Sequence, residues 1–200
     1  MLAEIPTIVA GAGWGVSATA VAAVYRRRTY TDSTTGLGNR AALYRTARRV
    51  RRRHGPVGLL MVDLDRFKSI NDTHGHRYGN AVLTAVGLRL SCVAKPGERA
   101  FRLHGDEFVL WLGDLKSSRH AAVRAEQVSA ALAKRVHVEG HPVTAFGSVG
   151  LATAPAGTSV SELLSRADEH MYRVKAAHHL STFPTTPSRT RDHRPGGDTA

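Results

Sequence analysis

The sequence predicts an α/β domain over residues 32–179, in which strands and amphipathic helices alternate. Three observations lead there. A continuous apolar run at 58–62 reads as a buried strand that ends by delivering two carboxylates, Asp63 and Asp65. Residues 99–113, RAFRLHGDEFVLWLG, read as a β-hairpin with Asp106 and Glu107 at or near its tip. Apolar residues recur at helical spacing over 81–93, 121–136 and 160–177, and residues 143–152 hold one or two strands around Gly147 and Gly150. A chain of 200 residues suffices for one core with short appendages.

Taken in order, residues 1–31 form an N-terminal segment with 21 uncharged positions, 5–25, followed at once by Arg26, Arg27 and Arg28. As a helix the run reaches roughly 31 Å at about 1.5 Å per residue, enough for the hydrocarbon core of a bilayer. Glu4 before it and three Arg after it orient a single-pass anchor in the cell membrane, with the domain in the cytoplasm. A cleaved secretory signal would carry its positive charge before the run instead. The alternative is a soluble coupling helix or a peripheral segment of a cytoplasmic protein, because the run is rich in Ala, Gly and Thr rather than Leu and Ile.

Next comes a Gly-rich polar turn, DSTTGLGNR at 32–40, leading into a helix over 41–53 with Asn39 as a candidate cap. Residues 40–53 carry seven Arg and no acid, which suits an anionic membrane surface or a solvated helix face. No aromatic platform or reading motif accompanies the charge, so specific nucleic-acid binding is not expected. The strand at 58–62 follows. Its polar continuation, with Lys68, Asn71, Asp72, His74 and His76 interrupted by Gly75 and Gly79, reads as a ligand loop before a helix resumes at Ala81. Lys95-Pro96-Gly97 stops that helix. From 180 to 200 the Pro, Thr, Ser, Arg and Gly content predicts a disordered tail.

The formal net charge is +12, with 23 Arg and 5 Lys, which favours phosphate-bearing partners or an anionic surface. A lone Cys92 predicts no disulfide and a reduced compartment. Carboxylates at the end of a buried strand call for a cation, and hard oxygen donors suit Mg²⁺ better than zinc. The hairpin supplies the second acidic pair.

The motifs in order are Asp32, Thr35-Gly36-Leu37 and Asn39-Arg40; Asp63-x-Asp65-x-Phe67-Lys68 with Asn71-Asp72, Gly75-His76 and Gly79; Gly105-Asp106-Glu107-Phe108; Ser148-Val149-Gly150; and Arg166-Ala167-Asp168 with Tyr172 and Lys175. In this collinear arrangement the sequence resembles the GGDEF family of diguanylate cyclases. The resemblance implies a palm-like α+β fold, a mostly antiparallel central sheet flanked by helices, in which two GTP molecules held by the two protomers of a homodimer condense into cyclic di-GMP. It also implies roles for individual residues. Asp63 and Asp106 hold Mg²⁺ (or Mn²⁺) with the Leu64 carbonyl, and Glu107 holds a second metal or helps deprotonate the attacking hydroxyl. The backbone at Arg66 and Phe67, with the Lys68 and Lys175 side chains, meets phosphate. Asn71 contacts guanine, and Gly105 lies in the signature turn.

Departures from the family pattern fall on the substrate. His104 stands at the first Gly of the signature, Asn80 at the Asp that pairs with guanine, and His178-His179 at a Gly-Arg whose Arg meets phosphate. An imidazole at 104 either crowds the nucleotide or offers it a new donor. His179 replaces a permanently charged bidentate partner. Asn80 presents one acceptor and one donor where guanine offers two donors, a match for adenine, so ATP is expected to be accepted alongside GTP; relatives that make mixed cyclic dinucleotides also lack Asp there. The register of the family's product-inhibition site holds Lys95 and Glu98, which keep the charges but lose the planar guanidinium fork. Two readings remain from the sequence: a nucleotidyl cyclase with its acidic set complete, and an inactive domain that binds a nucleotide or a protein partner.

Overall fold

The chain is organised on one buried strand, as its apolar run requires. The computed structural model describes residues 19–25, 29–50, 55–144 and 147–182, of 49–50 and 177–182 the backbone only. Its elements are α1 (Arg40–Val50), β1 (Pro56–Leu64), α2 (Phe67–Val93), β2 (Arg99–His104), β3 (Glu107–Asp114), α3 (Ser118–Leu132), β4 (Val136–Val138), β5 (His141–Val143), β6 (Gly147–Pro155) and α4 (Val160–Thr182). Four strands form a sheet in the order β2-β3-β1-β6, and β4 and β5 form a separate two-stranded ribbon. All ladders in the main sheet are antiparallel. The architecture is the α/β arrangement expected from the sequence, helices flanking an antiparallel sheet.

β1 lacks the polar alternation of a half-exposed strand because both its faces are covered. Leu60, Val62 and Leu64 enter one core with Val82, Val86 and Leu90 of α2 and Val128 and Leu132 of α3. Val57, Leu59 and Met61 enter a second core with Leu43 of α1 and Leu163 and Ala167 of α4. Leu59, Leu60 and Val62 are fully buried, and each such side chain stabilises the fold by roughly 1.5–3 kcal/mol. By the same alternation Asp63 falls on the α1/α4 face, with Met61.

Local chemistry explains the ends of the elements. Asn39 caps α1, its Oδ1 accepting from the Ala42 backbone N–H at 3.1 Å, as expected from the sequence. Ser117 caps α3 through His120 N–H. Arg66 begins α2 in the left-handed conformation, φ 58°, which leaves the first N–H groups of a long helix at the end of β1.

Three expectations change. The polar residues 68–79 are helical on both sides of Gly75 rather than a loop: α2 starts at Phe67, and at Gly75, with φ 83° and ψ 161°, the helical backbone is interrupted and two helical segments meet at a kink. The helical period is invisible there because residues 72–77 are exposed along their whole circumference and have no apolar stripe. The helix expected over 121–136 spans Ser118–Leu132, since Val136 and Val138 point inward from β4. The ribbon β4–β5 itself has too few residues to show a period. α4 runs to Thr182, past 177.

Among the described residues no helix is long and apolar enough to cross a membrane. Of the 5–25 run only 19–25 is described, as helix; the remainder of the expected anchor, Arg51 to Arg53 and the tail from 183 lie outside the described residues.

Candidate active site

Strand register sets the catalytic geometry. Asp63, near the end of β1, lies opposite Glu107 on β3 and Ser148 on β6. The β2–β3 connection is only Gly105-Asp106, so Asp106 stands at the tip of the hairpin beside Glu107, as the sequence anticipates. Gly105 adopts φ 49°, as the first position of a tight two-residue hairpin turn requires. Arg102 fixes that turn, donating to the Gly105 carbonyl from Nε at 3.0 Å and from its second terminal nitrogen at 2.7 Å. Its remaining nitrogen donates to Asp32 Oδ1 at 3.0 Å. Asp32 in turn accepts from Thr35 N–H and Thr35 Oγ1, both at 2.8 Å, so the polar turn at 32–40 braces the acidic hairpin. No periodicity or motif reading marks Arg102, although its side chain is only 11% exposed.

α4 delivers the counter-charge. Lys175 Nζ donates to Asp63 Oδ1 across the strand end. Burial disfavours the ammonium, but the hydrogen bond to Asp63 and the charges of Asp63, Asp65 and Asp106 outweigh it and raise the Lys175 pKa. Burial pushes the Asp106 carboxyl above its ordinary value and the charge of Asp63 adds to the rise, against its own backbone hydrogen bond and the nearby Lys175 and His104. Glu107 is raised in the same way, by burial first and then by Asp63, Asp168 and Asp106, with His104 opposing.

This donor set fits a hard divalent cation. Crowded carboxylates with elevated pKa values are short of positive charge, and their oxygens are the donors Mg²⁺ or Mn²⁺ takes. Among the described residues no group of three His, Cys, Asp or Glu side chains forms a ready-made cage. Mg²⁺ commonly rests on one or two carboxylates with substrate phosphates completing its shell, and Asp63 and Asp106, whose charges act on each other, are the carboxylates that would serve.

The remaining expected residues divide. Lys68 and Asn80 are exposed on α2, and Asn71 is half-buried. A side chain at Gly79 would meet Asn71 Oδ1 at 1.9 Å, so Gly79 serves to let the Asn71 amide lie against the helix beside position 80. The side chains of His178 and His179 lie outside the described residues. Lys95 and Glu98 sit at the opposite end of β2 from the acidic turn, apart from this constellation.

Comparison with known proteins matches this geometry to a family: residues 29–180 match the family described as Diguanylate cyclase, GGDEF domain. The chain belongs to the GGDEF family. It is similar to the diguanylate cyclase DgcS of Shewanella oneidensis, 33% identical over 151 residues, 73% of this chain and 49% of that protein. The chain thus spans about half the length of DgcS. Among solved structures it is similar to the GGDEF domain of PA1120 (TpbB or YfiN) from Pseudomonas aeruginosa, with a TM-score of 0.66 and 32% identity, covering 74% of this chain and 89% of that one. A TM-score of 0.74 at 24% identity links the fold to the coiled coil and GGDEF domain of DgcB from Caulobacter crescentus, solved in complex with c-di-GMP, over 88% of this chain and 96% of that one.

Against the GGDEF pattern, His104 neither projects freely nor folds over the turn: its Nε2 lies 3.2 Å from Glu107 Oε2, and its side chain is 63% exposed. With Glu107, Arg40 and Asp168 it lines a cleft of about 280 Å³ on the α1/α4 side. Glu98, in the GGDEF inhibitory register, is sealed inside the domain. Arg124 of α3 grips it bidentately, Nε to Oε1 at 2.8 Å and a terminal nitrogen to Oε2 at 2.6 Å, while Lys95 N–H donates to Oε2 at 2.9 Å. Lys95 Nζ turns to Gln127 Oε1 at 3.1 Å. Arg124 carries no sequence signal, because a polar residue on an amphipathic helix reads as solvent-facing.

Proposed function

We propose that this chain is a nucleotidyl cyclase that condenses two nucleoside triphosphates, GTP with ATP also accepted, into a cyclic dinucleotide such as cyclic di-GMP. The observation that carries the reading is the convergence of Asp63, Asp106, Glu107 and Lys175 at one strand end beside the start of α2. An inactive domain has no physical need to keep mutually repelling carboxylates together.

In this reading the backbone N–H groups at Arg66 and Phe67 receive phosphate at the positive end of α2, with Lys68 and Lys175 flanking. Asn71 and Asn80 meet the base. Mg²⁺ (or Mn²⁺), held by Asp63, Asp106 and the Leu64 carbonyl, supplies charge neutralisation on the triphosphate and acidifies the attacking hydroxyl. Lys175 holds its ammonium at the same strand end through Asp63, where it would serve as a phosphate partner once that carboxylate took up a cation. Glu107 accepts the proton of a 3′ hydroxyl, since its raised pKa suits a base. Each 3′ hydroxyl attacks an α-phosphorus in line and pyrophosphate leaves; two half-sites in a homodimer carry out the two attacks. Pyrophosphate release tests turnover: one pyrophosphate per nucleotide consumed is expected. The second reading, binding without turnover, is favoured by His104 at the signature; nucleotide binding with no pyrophosphate would establish it.

Base choice follows from Asn80. A carboxylate there accepts from both guanine N1–H and the 2-amino group, while an amide offers one acceptor. Charge-assisted hydrogen bonds contribute roughly 1.5–3 kcal/mol, so the wild type should discriminate GTP from ATP weakly and Asn80→Asp should favour GTP by about ten- to a hundred-fold more. Competition between the two nucleotides measures this. A strong GTP preference in the wild type, unchanged in Asn80→Asp, contradicts it.

Product feedback should be weak or absent, because the Glu98 carboxylate is already occupied by Arg124 and Lys95 is turned to Gln127. Calorimetry with cyclic di-GMP should show no tight binding; tight binding abolished by Lys95→Ala is the opposing result.

For the whole chain, residues 32–182 form the catalytic domain on the cytoplasmic side of the cell membrane, with α4 running three residues past the expected boundary at 179, 1–31 a segment with a single-pass anchor, and 183–200 a tail. The uncharged run followed by three Arg supports the anchor. Of the Arg on α1, Arg45 stacks over the Tyr30 ring at 4.1 Å, while Arg48, Arg49 and those after it suit an anionic lipid surface.

A further inference from the structure

His170 of α4 is half-buried, and the roles assigned above leave it without a part. Its Nδ1 accepts from the Leu151 backbone N–H of β6 at 3.2 Å. β6 is an outer strand of the sheet, with β1 as its one neighbour, so an N–H turned away from β1 finds no partner in the ladder. The imidazole supplies that partner and ties the helix to the strand edge. The helix lies directly on the strand there: a side chain at Gly150 would meet the Ala167 carbonyl at 2.1 Å and Met171 Cβ at 2.6 Å. Met171 is also the last buried side chain of α4 among the described residues. Beyond it the helix presents exposed and half-buried side chains and carries Lys175, whose ammonium donates to Asp63.

We infer that His170 is a positioning residue whose bond to β6 fixes the height and rotation of α4 just ahead of Lys175, so that the ammonium stays at the strand end with Asp63. His170 and Lys175 stand on one helix, a rise of about 7.5 Å apart at about 1.5 Å per residue. Each end of that span is tied to the sheet by one hydrogen bond, to β6 at His170 and to β1 at Lys175. Without the first tie, only the packing of Met171 holds the span, and a small rotation of the helix carries the ammonium off Asp63. The bond needs an unprotonated acceptor nitrogen; a short side-chain amide oxygen can replace it, and an alkyl group cannot. The inference deepens the cyclase reading, and its bearing on nucleotide binding rests on that reading.

The test compares wild type, His170→Ala, His170→Asn, Lys175→Met and the double variant of His170→Ala with Lys175→Met, in the full chain at pH 8, with folding checked by the thermal midpoint. Deuterium exchange of the Leu151 amide reads the bond itself. Acetylation of Lys175 by acetic anhydride, followed by mass with the exposed Lys116 as internal control, reads release of the ammonium from Asp63. Calorimetry in Mg²⁺ with 3′-deoxy-GTP, which lacks the attacking hydroxyl, reads nucleotide affinity. In His170→Ala, Leu151 exchange and Lys175 acetylation should each rise, and affinity fall, about three- to ten-fold, the range that one net hydrogen bond spans. His170→Asn should recover most of each change, and in the Lys175→Met background His170→Ala should cost no further affinity. Unchanged Leu151 exchange or unchanged Lys175 acetylation in His170→Ala overturns the inference, as does an equal loss of affinity with and without Lys175. If His170→Ala does not fold, His170→Leu, which keeps bulk and has no acceptor, is read by the same criteria. Wild type that binds 3′-deoxy-GTP and releases no pyrophosphate from GTP refutes the cyclase reading while the series still decides this inference. Wild type that binds no nucleotide refutes the nucleotide reading, and exchange and acetylation then decide whether His170 holds Lys175 in place.

Discussion

Asp106→Asn abolishes cyclic dinucleotide formation, with a loss of about a thousand-fold or more, and at the same time raises the thermal midpoint at neutral pH. The catalytic loss follows from removing a carboxylate that would hold the divalent cation in the proposed site; the charge stabilisation such a cation supplies to the transition state amounts to several kcal/mol, and every 1.36 kcal/mol is about ten-fold in rate. The gain in stability follows from the same surroundings. Burial and the charge of Asp63 raise the Asp106 pKa above its ordinary 3.8, so ionising this carboxyl costs more in the folded chain than in the unfolded one. An acid raised in this way favours folding at low pH and loses that contribution as the pH rises through its folded pKa. Near pH 7 the carboxylate therefore opposes folding, and a neutral amide relieves it. Calorimetric melts at pH 7.5 and pH 4, beside product assays, check both halves: the variant should melt higher at pH 7.5 and the difference should narrow toward pH 4. An active Asp106→Asn, or one that melts lower at pH 7.5, contradicts this account of the site.

The largest stability effect is expected away from the chemistry. Arg124→Met should destabilise the domain by about 3–5 kcal/mol, because it leaves the Glu98 carboxylate buried without its partner. The side chains of Arg124 and Glu98 are 2% and 6% exposed, and Arg124 also donates to Gln127 Oε1 at 2.6 Å and to the Val93 carbonyl at 3.1 Å. The group ties α3 to the end of α2 and the start of β2. For a chain of this size such a loss lowers the thermal midpoint by roughly 10 °C. Burial alone would raise the Glu98 pKa, but the hydrogen bonds from Arg124 and Lys95 and their charges hold it below 4.5. A depressed carboxyl contributes stability above its unfolded pKa and loses it as the pH falls through the folded value, so the wild-type advantage over Arg124→Met should shrink below about pH 4.5. A midpoint within 2 °C of wild type would show that the pair is dispensable. Arg124→Met with Glu98→Leu should recover much of the loss, since an apolar pair of similar size carries no desolvation penalty.

What could be read from the residues, and what could not, follows from where each side chain finds its partner. β1 and the hairpin were legible because their apolar runs are long and end at charged residues, and Asp63, Asp106 and Glu107 come together as their positions suggest. The first half of α2 was not: residues 72–77 are exposed all round and show no apolar stripe, and glycines at 75 and 79 mimic a loop, although one marks a kink and the other makes room for Asn71. The family resemblance named candidate substrate positions, but not how the residues that depart from its pattern settle. His104 pairs with Glu107, and Glu98 is consumed by an Arg on a helix distant in sequence. Contacts of that kind, like those of Arg102 and His170, depend on which elements the fold makes adjacent, and no local pattern encodes them.

The central claim is that the strand end built from Asp63, Asp106, Glu107 and Lys175 joins nucleotides. It is tested most directly by incubating the protein with GTP, ATP or an equal mixture in Mg²⁺ and identifying the products by mass, with Asp106→Ala as the blank. The account predicts cyclic di-GMP from GTP and a mixed guanine–adenine cyclic dinucleotide from the mixture, both absent in the blank. Wild type that binds nucleotide and yields no cyclic dinucleotide under any of the three conditions contradicts it.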